Sequence, residues 1–571
     1  MKYFSKSFLL AIWDLTKGFW QSEEKWKAYG LATVIIAMQV IYVGSMVYYN
    51  SWQKDFYNTI QAVDQDAFFY YLKFWPMYMV FFIFIEVNRD YLMQWLEIKW
   101  RTWLVNHYVG RWLGDKTYYL LQIAKSDENS AVDNPDQRIS DDIRLFVNYM
   151  LTLTLGILNA VMKLISFSTV LWGLSGIMTF TVLNHDVQVP GYMLFLAIVY
   201  ALTGCIFTIV VGKPIVKLNY KQQEYEANFR FGLARIREYC ESIASFKGEI
   251  TESLDAMKRF FVVRDNFKRI MTRQWWLSWV TNLHWRIGFL FPYLVGVPRV
   301  FSGDMQFGGL MQTAVAFQHV ENALAYLVLH YYSSTEASFA QLQAVVQRLS
   351  DFKQGMADVE TSLHNAQLEY IENTQNCICT KDLTLYKPDG REMITNLTFT
   401  INKGESLMIS GPSGRGKSTL LKALTGIWPY GKGTIEGPAG DKRIFLPQKA
   451  YMPMGTLRDI IVYPSSGADI SDYQIIDMLR LCQLEHLVDR IDEVANWGQL
   501  LSLGEQQRVS FARLFLLKPE WVFLDESTSA LDVDNEARMY ELLKTLCPQS
   551  TVVSVAHRLY LRKYHDKELV L

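Results

Sequence analysis

Gly411-Pro412-Ser413-Gly414-Arg415-Gly416-Lys417-Ser418-Thr419 follows the short apolar run Ser406–Ser410 and opens the helix-forming stretch Ser418-Thr419-Leu420-Leu421-Lys422-Ala423-Leu424. The pattern G-x-x-x-x-G-K-[ST] in a strand–loop–helix context predicts a phosphate loop. Backbone N–H groups at a helix N-terminus cradle anionic oxygens, Lys417 neutralises terminal phosphates and the Ser418 hydroxyl reaches magnesium. Gly411, Ser413, Gly414, Gly416, Lys417, Ser418 and Thr419 are therefore assigned to nucleotide binding, whereas Arg415 is as well explained by a solvated side chain.

A second string, Trp521-Val522-Phe523-Leu524-Asp525-Glu526, reads as a buried strand that delivers two carboxylates to its end. Asp525 is expected to hold magnesium, since a hard cation prefers carboxylate oxygen. Glu526 is expected to orient or deprotonate the attacking water. Shortly before it stands Leu501-Ser502-Leu503-Gly504-Glu505-Gln506-Gln507-Arg508. Here the Ser502 hydroxyl, the Gly504 amide and the N-terminus of the following helix make a second anion site.

These strings carry a resemblance. The C-terminal part resembles the ATPase domain of ABC transporters, with Leu501–Gln507 as the signature, Ser529-Ala530-Leu531-Asp532 as the D-loop and His557 of Ser554-Val555-Ala556-His557-Arg558 as the switch histidine. The resemblance implies that Gln448, in Phe445-Leu446-Pro447-Gln448, links magnesium and water to the membrane helices. Tyr386 is similar to the aromatic residue that stacks on adenine, with a purely structural tyrosine as the alternative. In the family the signature, here with Ser502, Gly504 and Gln506, closes on ATP held by a second copy. One chain carries one such domain, so the resemblance implies half a transporter working as a homodimer with ATP and Mg2+. Position 503 is Leu where the common pattern has Gly.

The rest of the chain says where this ATPase sits. A length of 571 residues calls for more than one folding unit, and a net charge of −1 gives no reason to invoke nucleic acid. Six apolar segments are long enough to span a bilayer: Tyr29–Tyr49, Phe68–Val87, Leu145–Ser175, Tyr192–Val211, Trp276–Val297 and Gly309–Tyr331. The third is long enough to continue into the cytoplasm. The first is too long for a cleaved signal core. Aromatic residues and lysines before it suit a helix in the membrane interface over 1–27. Residues 1–27, 88–144 and 213–275 carry 5, 8 and 13 Lys and Arg, whereas the connections 50–67, 176–191 and 298–308 contain only Lys54 and Arg299. The excess places both ends of the chain and the ATPase in the cytoplasm.

The expected organisation is an interfacial helix at 1–27, an all-α six-helix membrane domain of exporter type at 28–333, a connecting helix at 334–365 and an α/β ATPase domain at 366–571. Strands are expected at Leu383–Tyr386, Asn396–Ile401, Ser406–Ser410, Ile444–Leu446, Trp521–Leu524 and Thr551–Val555. Cys205, Cys240, Cys377, Cys379, Cys482 and Cys547 lack metal-ligand spacing and read as structural thiols in a reducing compartment.

Within the spans, Glu86, Lys163, His284, Arg286, His319, Glu321 and Asn322 are costly in lipid and are expected to face a cavity or one another. Glu321, His319 and Arg286 are the expected cavity lining, with packing or inter-subunit pairing as the alternative. Trp95, Trp100, Trp103 and Trp112 read as interface anchors or packing residues, and the charges from Arg89 to Arg144 as a solvated helix surface.

The strings Asn134–Ile139, Glu226–Phe231, Arg235–Glu238, Glu241–Ala244 and Gly309–Thr313 resemble the SbmA/BacA group, related to peroxisomal half-transporters of subfamily D, and within it the bacterial members fused to an ATPase. That resemblance implies a bacterial inner-membrane protein moving bulky or amphipathic cargo such as a peptide, a cobalamin-like molecule or an acyl-CoA. No motif encodes direction. An ATP-gated receptor or channel shares every motif, and a lipid or acyl-CoA translocase differs only in cargo. The six spans exclude soluble ABC ATPases that act on DNA or ribosomes.

Overall fold

The computed structural model describes residues 6–124, 134–182, 185–332, 338–364, 367–372, 377–439, 442–465, 470–556 and 558–571. The chain forms two compact units, Met1–Arg111 with Asp133–Gln354, and Trp112–Val132 with Gly355–Leu571.

The first unit is helical. In chain order it contains α1 (Lys6–Trp20), α2 (Lys25–Ala62), α3 (Gln65–Leu72) and α4 (Trp75–Leu113). After α5 (Thr117–Ala124), which groups with the second unit, come a turn α6 (Pro135–Gln137), α7 (Ile143–Ser175), α8 (Tyr192–Glu238), α9 (Cys240–Phe246), α10 (Glu249–Phe301), α11 (Phe307–Tyr332) and α12 (Phe339–His364). At about 1.5 Å per residue the 47 residues of α8 and 53 of α10 run for about 70 and 80 Å, more than twice a hydrocarbon core of about 30 Å. Both helices thus extend well beyond any bilayer they cross.

Side-chain pairs fix the directions. Gln39 meets Arg89 while Tyr49 meets Tyr78, so α2 and α4 run antiparallel. Tyr200 meets His284 while Asn266 meets Leu218, so α8 and α10 do the same. Phe167 stacks on His319 and Gly156 faces Tyr326, which sets α11 against α7. A buried cluster of Phe167, Leu171, Tyr192, Met193, Ala197, Phe317 and Val320 holds α7, α8 and α11 together. A two-stranded hairpin, β1 (Ile177–Val182) and β2 (His185–Pro190), connects α7 to α8.

Four helical stretches, Lys25–Ala62, Gln65–Ile123, Pro135–Ser175 and Tyr192–Glu238, are long and apolar enough to cross a membrane by composition alone. The fifth and sixth expected spans fall short of that measure. Their tryptophans, His284, Arg286, His319 and Glu321 dilute the apolar content, yet α10 and α11 pack lengthwise against α7 and α8. The second expected span is also interrupted: α3 ends at Leu72 and the helix restarts at Trp75, with Pro76 in its first turn, where proline is tolerated.

Two other expectations change. The described residues of Trp112–Val132 belong with the ATPase unit rather than the membrane domain; Lys116 Nζ donates to the Gly426 carbonyl at 2.7 Å. The charge run is not all solvated, because Asp142 is 2% exposed and held by Arg138 and Arg348. Within the tryptophan stripe, Trp100 is buried between Phe19 and Phe146, the packing expected of it.

The second unit is α/β. Its strands are β3 (Gln367–Glu372), β4 (Cys377–Tyr386), β5 (Glu392–Asn402), β6 (Ser406–Ser410), β7 (Gly431–Gly437), β8 (Arg443–Leu446), β9 (Gly455–Thr456), β10 (Val494–Ala495), β11 (Trp521–Asp525), β12 (Thr551–Val555) and β13 (Lys567–Val570). Its remaining helices are α13 (Lys417–Leu424), α14 (Leu457–Val462), α15 (Asp472–Leu481), α16 (Trp497–Leu500), α17 (Leu503–Leu517) and α18 (Val533–Leu546). Five strands form a parallel sheet in the order β13-β6-β12-β11-β8, and four form a second sheet in the order β3-β7-β4-β5. Because the five strands are parallel, Gly411, Gln448 and Asp525 all emerge at the same edge, where α/β sheets bind ligands. All six cysteines are free thiols, with Cys377 and Cys379 Sγ 3.5 Å apart.

Candidate functional site

The phosphate loop joins β6 to α13. Gly411, Gly414 and Gly416 have φ of +136°, +82° and +88°, a region that favours glycine. A Cβ on Gly411 would lie 2.5 Å from the Leu571 carbonyl, and one on Gly416 would crowd Met393 and Ile394. Pro412, Ser413, Gly414 and Arg415 are exposed, while Lys417 is buried at the start of α13. The Lys417 ammonium donates to the carbonyls of Gly411 and Pro412 at 2.8 and 3.0 Å, so it already lies across the mouth of the loop. Thr419 stands beside Ser418 in the first turn.

Ser418 Oγ donates to Asp525 Oδ1 at 2.7 Å, which brings the loop and the β11 carboxylate together across the intervening β12. Asp525 is 7% exposed. Burial pushes its carboxyl above the usual range, opposed by the Ser418 hydroxyl and the ammonium of Lys422. Two oxygen donors of this kind, partly desolvated and adjacent to a phosphate loop, fit Mg2+. Next along the chain, Glu526 takes φ +47°, a conformation non-glycine residues rarely hold, and its Oε2 accepts from Gln448 Nε2 at 3.0 Å. The backbone turn at Glu526 directs its carboxylate towards Gln448 instead of along the strand.

Tyr386, at the end of β4, is half-buried and anchored through its backbone: it accepts from Trp428 Nε1 at 3.0 Å and donates to the Tyr430 carbonyl. Asp532 caps α18, accepting from the Asn535 amide at 2.7 Å. His557 lies outside the described residues.

The signature is built around the N-terminus of α17. Ser502 is the N-cap and forms a reciprocal capping box with Glu505, whose carboxylate accepts from the Ser502 hydroxyl at 2.7 Å and from its amide at 2.9 Å. His486 Nε2 lies 2.9 Å from the other carboxylate oxygen. Ser502 and Leu503 are exposed, and Gly504 packs against the Ala530 carbonyl, where a Cβ would approach to 3.3 Å.

Gln506, also expected in the nucleotide set, faces inwards. Its amide is buried and donates to the carbonyls of Gly498 and Leu501 at 2.9 and 2.8 Å, so it braces the loop from within. Gln506 is one of the residues that α17 buries against the rest of the domain. Gln507, which motif reading passed over, is the residue that connects the parts. Its Nε2 reaches the Gln448 carbonyl and Ser529 Oγ, and its Oε1 accepts from the Ala530 amide. Its place as the last residue of the signature Leu501–Gln507 is the one sequence signal that pointed to it.

In the membrane unit, Glu321 lines a cavity between α8, α10 and α11, as expected, whereas His319 and Arg286 do not. His319 stacks on Phe167 with ring centroids 4.1 Å apart, and exposed Arg286 lies over Trp285.

Residues 15–301 match the family "ABC transporter transmembrane region 2" and residues 394–529 match "ABC transporter". The chain is 34% identical over 544 residues to the inner membrane ABC transporter ATP-binding protein YddA of Escherichia coli, covering 95% of this chain and 94% of that protein. It is 28% identical over 507 residues to the mouse lysosomal cobalamin transporter ABCD4, covering 82% and 79% respectively. In fold it is similar to a bacterial Atm1-family ABC exporter with ATP bound, at a TM-score of 0.72 and 17% identity over 95% of this chain and 94% of that one. The chain belongs to the ABC transporters, as an exporter-type half-transporter in which a helical membrane region and an ATP-hydrolysing domain are fused in one polypeptide.

Proposed function

We propose that two copies of this chain clamp two ATP molecules between their ATPase domains and use the cycle to move a bulky or amphipathic solute across a bacterial inner membrane by alternating access. The observation that carries this reading is the separation of complementary parts within one domain. The phosphate loop, Asp525 and Glu526 cluster at one sheet edge, while Ser502 is exposed at a helix N-terminus with Gly504 half-buried beside it. A second copy supplies the signature that completes each nucleotide site.

In this assembly Lys417 and the amides of Gly414 and Gly416 hold the phosphates, with Ser413 and Thr419 at their sides and Tyr386 against the adenine. Ser418, Asp525 and Gln448 would hold Mg2+, which would supply positive charge against the phosphates. Glu526 takes the proton from the attacking water, helped by His557, and Asp532 with the partner's Ser502 and Gly504 seals the opposite face. Those assignments rest on motif position together with the distances above.

The cargo class follows the SbmA/BacA-like strings of the membrane half and the name of the ABCD4 relative: a peptide, a cobalamin-like molecule or an acyl-CoA. An ATP-gated channel would lack accumulation against a gradient, which separates it from a pump.

Mixed dimers test the arrangement. A dimer of one Lys417→Ala copy and one Ser502→Ala copy retains one intact composite site if the signature acts in trans, and hydrolyses ATP at about half the wild-type rate. A dimer of wild type with a copy carrying both substitutions has no intact composite site. The reverse ranking would show that each chain completes its own site and would end the clamped-dimer reading.

A further inference from the structure

Between α8, α10 and α11 lies a cavity of about 260 Å³ whose lining includes the Glu321 carboxylate. Glu321 Oε1 sits 3.3 Å from His284 Nε2. The Tyr200 ring stacks on the imidazole at 4.1 Å, and its hydroxyl donates to the His284 carbonyl at 2.5 Å. Two glycines make room for this pair. A Cβ on Gly204 would lie 2.3 Å from His284 Nε2, and one on Gly288 would lie 2.8 Å from Tyr200 Cε1 and 3.0 Å from Glu321 Oε2. Any larger residue at either position would displace the pair. Asn282 and Asn322 add amide groups to the same wall, and Cys205 places a thiol there.

Glu321 is 7% exposed. Among the described residues its carboxylate has no Lys or Arg within ion-pair distance, only an imidazole that carries charge when protonated. A buried carboxylate is costly unless a cation meets it, and in a membrane such a residue marks a ligand path. The Arg286 guanidinium, two residues beyond His284, extends over Trp285 and does not enter the cavity. The same cavity is lined by Trp285, Val280, Ala201 and Ala325. That combination favours a positive group carried on an apolar body.

We propose that this cavity is a recognition subsite for a primary ammonium or guanidinium group on the cargo, with Glu321 as the counter-charge and Asn282 and Asn322 as hydrogen-bonding partners. The proposal rests on the transporter reading and narrows the cargo to molecules with a cationic arm, a basic peptide side chain among them. Acyl-CoA, which is anionic, fits it poorly.

Cys205 provides a readout that does not depend on ATP hydrolysis. The purified full-length protein in nanodiscs is treated with three methanethiosulfonates bearing an ammonium, a methyl or a sulfonate group. In each case the Cys205 sulfur forms a mixed disulfide and methanesulfinate leaves, and peptide mass spectrometry gives the rate. The expected result, after division by rates on a free small thiol, is a preference of tenfold or more for the ammonium reagent over the sulfonate. Glu321→Gln should reduce that ratio to within about twofold of unity and leave the methyl reagent unchanged, which also reports that the cavity is intact. His284→Gln, which keeps the carboxylate, should preserve the preference. In wild type, cyclohexylammonium should slow labelling while cyclohexanol at the same concentration should not. An unreactive Cys205, a ratio unmoved by Glu321→Gln, or equal protection by the two cyclohexyl compounds would each overturn the subsite. ATPase activity in the same samples tells this failure from a failure of the transporter reading, since normal turnover without ammonium preference removes the subsite alone.

Discussion

Gln507 Nε2 donates to the Gln448 carbonyl at 3.2 Å, and the other end of the same amide, Oε1, accepts from the Ala530 backbone at 3.0 Å. Gln448 itself bonds Glu526 at 3.0 Å. One buried side chain therefore fixes the segment that orients the proposed base to the D-loop that precedes α18. Both backbone groups lose a protein partner if the amide is removed; Gln448 and Ala530 are themselves exposed, so water replaces those bonds and the loss falls on the positioning of the two segments.

Gln507→Ala should bind ATP within about twofold of wild type, because Gln507 is not placed on the nucleotide, yet lower kcat by about tenfold, equivalent to about 1.4 kcal/mol. Gln507→Met, which preserves volume without the hydrogen bonds, should do the same. Nucleotide titration beside steady-state turnover checks this. Wild-type kcat in both variants would mean that the bridge holds nothing the reaction needs.

Asp525 gives a pH prediction with a definite sign. Burial holds its carboxyl above the ordinary range, and a metal takes only the ionised form. Mg2+ affinity of the ATP-loaded protein should therefore weaken as pH falls towards the raised Asp525 value, and metal binding should release a fraction of a proton. Asp525→Asn should abolish that share of the release. Calorimetry in two buffers of different ionisation enthalpy measures it; equal release by wild type and variant would remove Asp525 from the metal site.

Leu503 is 63% exposed beside Ser502. In the proposed dimer it is covered, and full burial of such a side chain contributes about 1.5–3 kcal/mol. In a Glu526→Gln background, where turnover should fall by about 10²–10⁴ while ATP binding persists, Leu503→Ser should raise the ATP concentration for half-closure about tenfold. Small-angle scattering against ATP concentration follows closure. No shift would leave Leu503 outside the closed interface.

The parts that were legible in the sequence are those with a fixed local pattern. The phosphate loop, the β11 carboxylates and the capped signature each occupy one short stretch, and the structure joins Ser418 to Asp525 and Gln448 to Glu526. Strand β7 was not legible because three glycines make Gly431–Gly437 read as a loop; Gly433, at φ +102°, packs where a Cβ would meet the Asp382 carbonyl at 2.6 Å. The facing of polar residues in α10 and α11 was also hidden. His319 and Glu321 are two residues apart, which on a helix turns them about 200° from each other, so one stacks in the core and the other lines a cavity. Composition ranked them alike.

Asp142 illustrates a contact that only tertiary structure creates, and it carries the stability prediction. Its carboxylate accepts from Arg138 Nη1 at 2.5 Å and, in a two-pronged contact, from Arg348 Nε and Nη2 at 2.9 and 2.6 Å. This bond raises the Arg348 guanidinium above its already high ordinary value, against the effect of burial. Arg138 and Arg348 side chains are 12% and 36% exposed. Asp142→Ala leaves two guanidiniums facing each other and should cost about 3 kcal/mol. Arg348→Ala should cost less, about 1–2 kcal/mol, since solvent screens the exposed part of that arginine and Arg138 keeps the carboxylate paired. Arg348→Lys should recover little, because an ammonium cannot match the planar fork. Denaturant titration of the detergent-solubilised protein, read as a double-mutant cycle between positions 142 and 348, should give a coupling of about 1 kcal/mol or more. A coupling indistinguishable from zero would mean that the pair between the π-helical turn Arg138–Asp142 and α12 adds nothing to the fold.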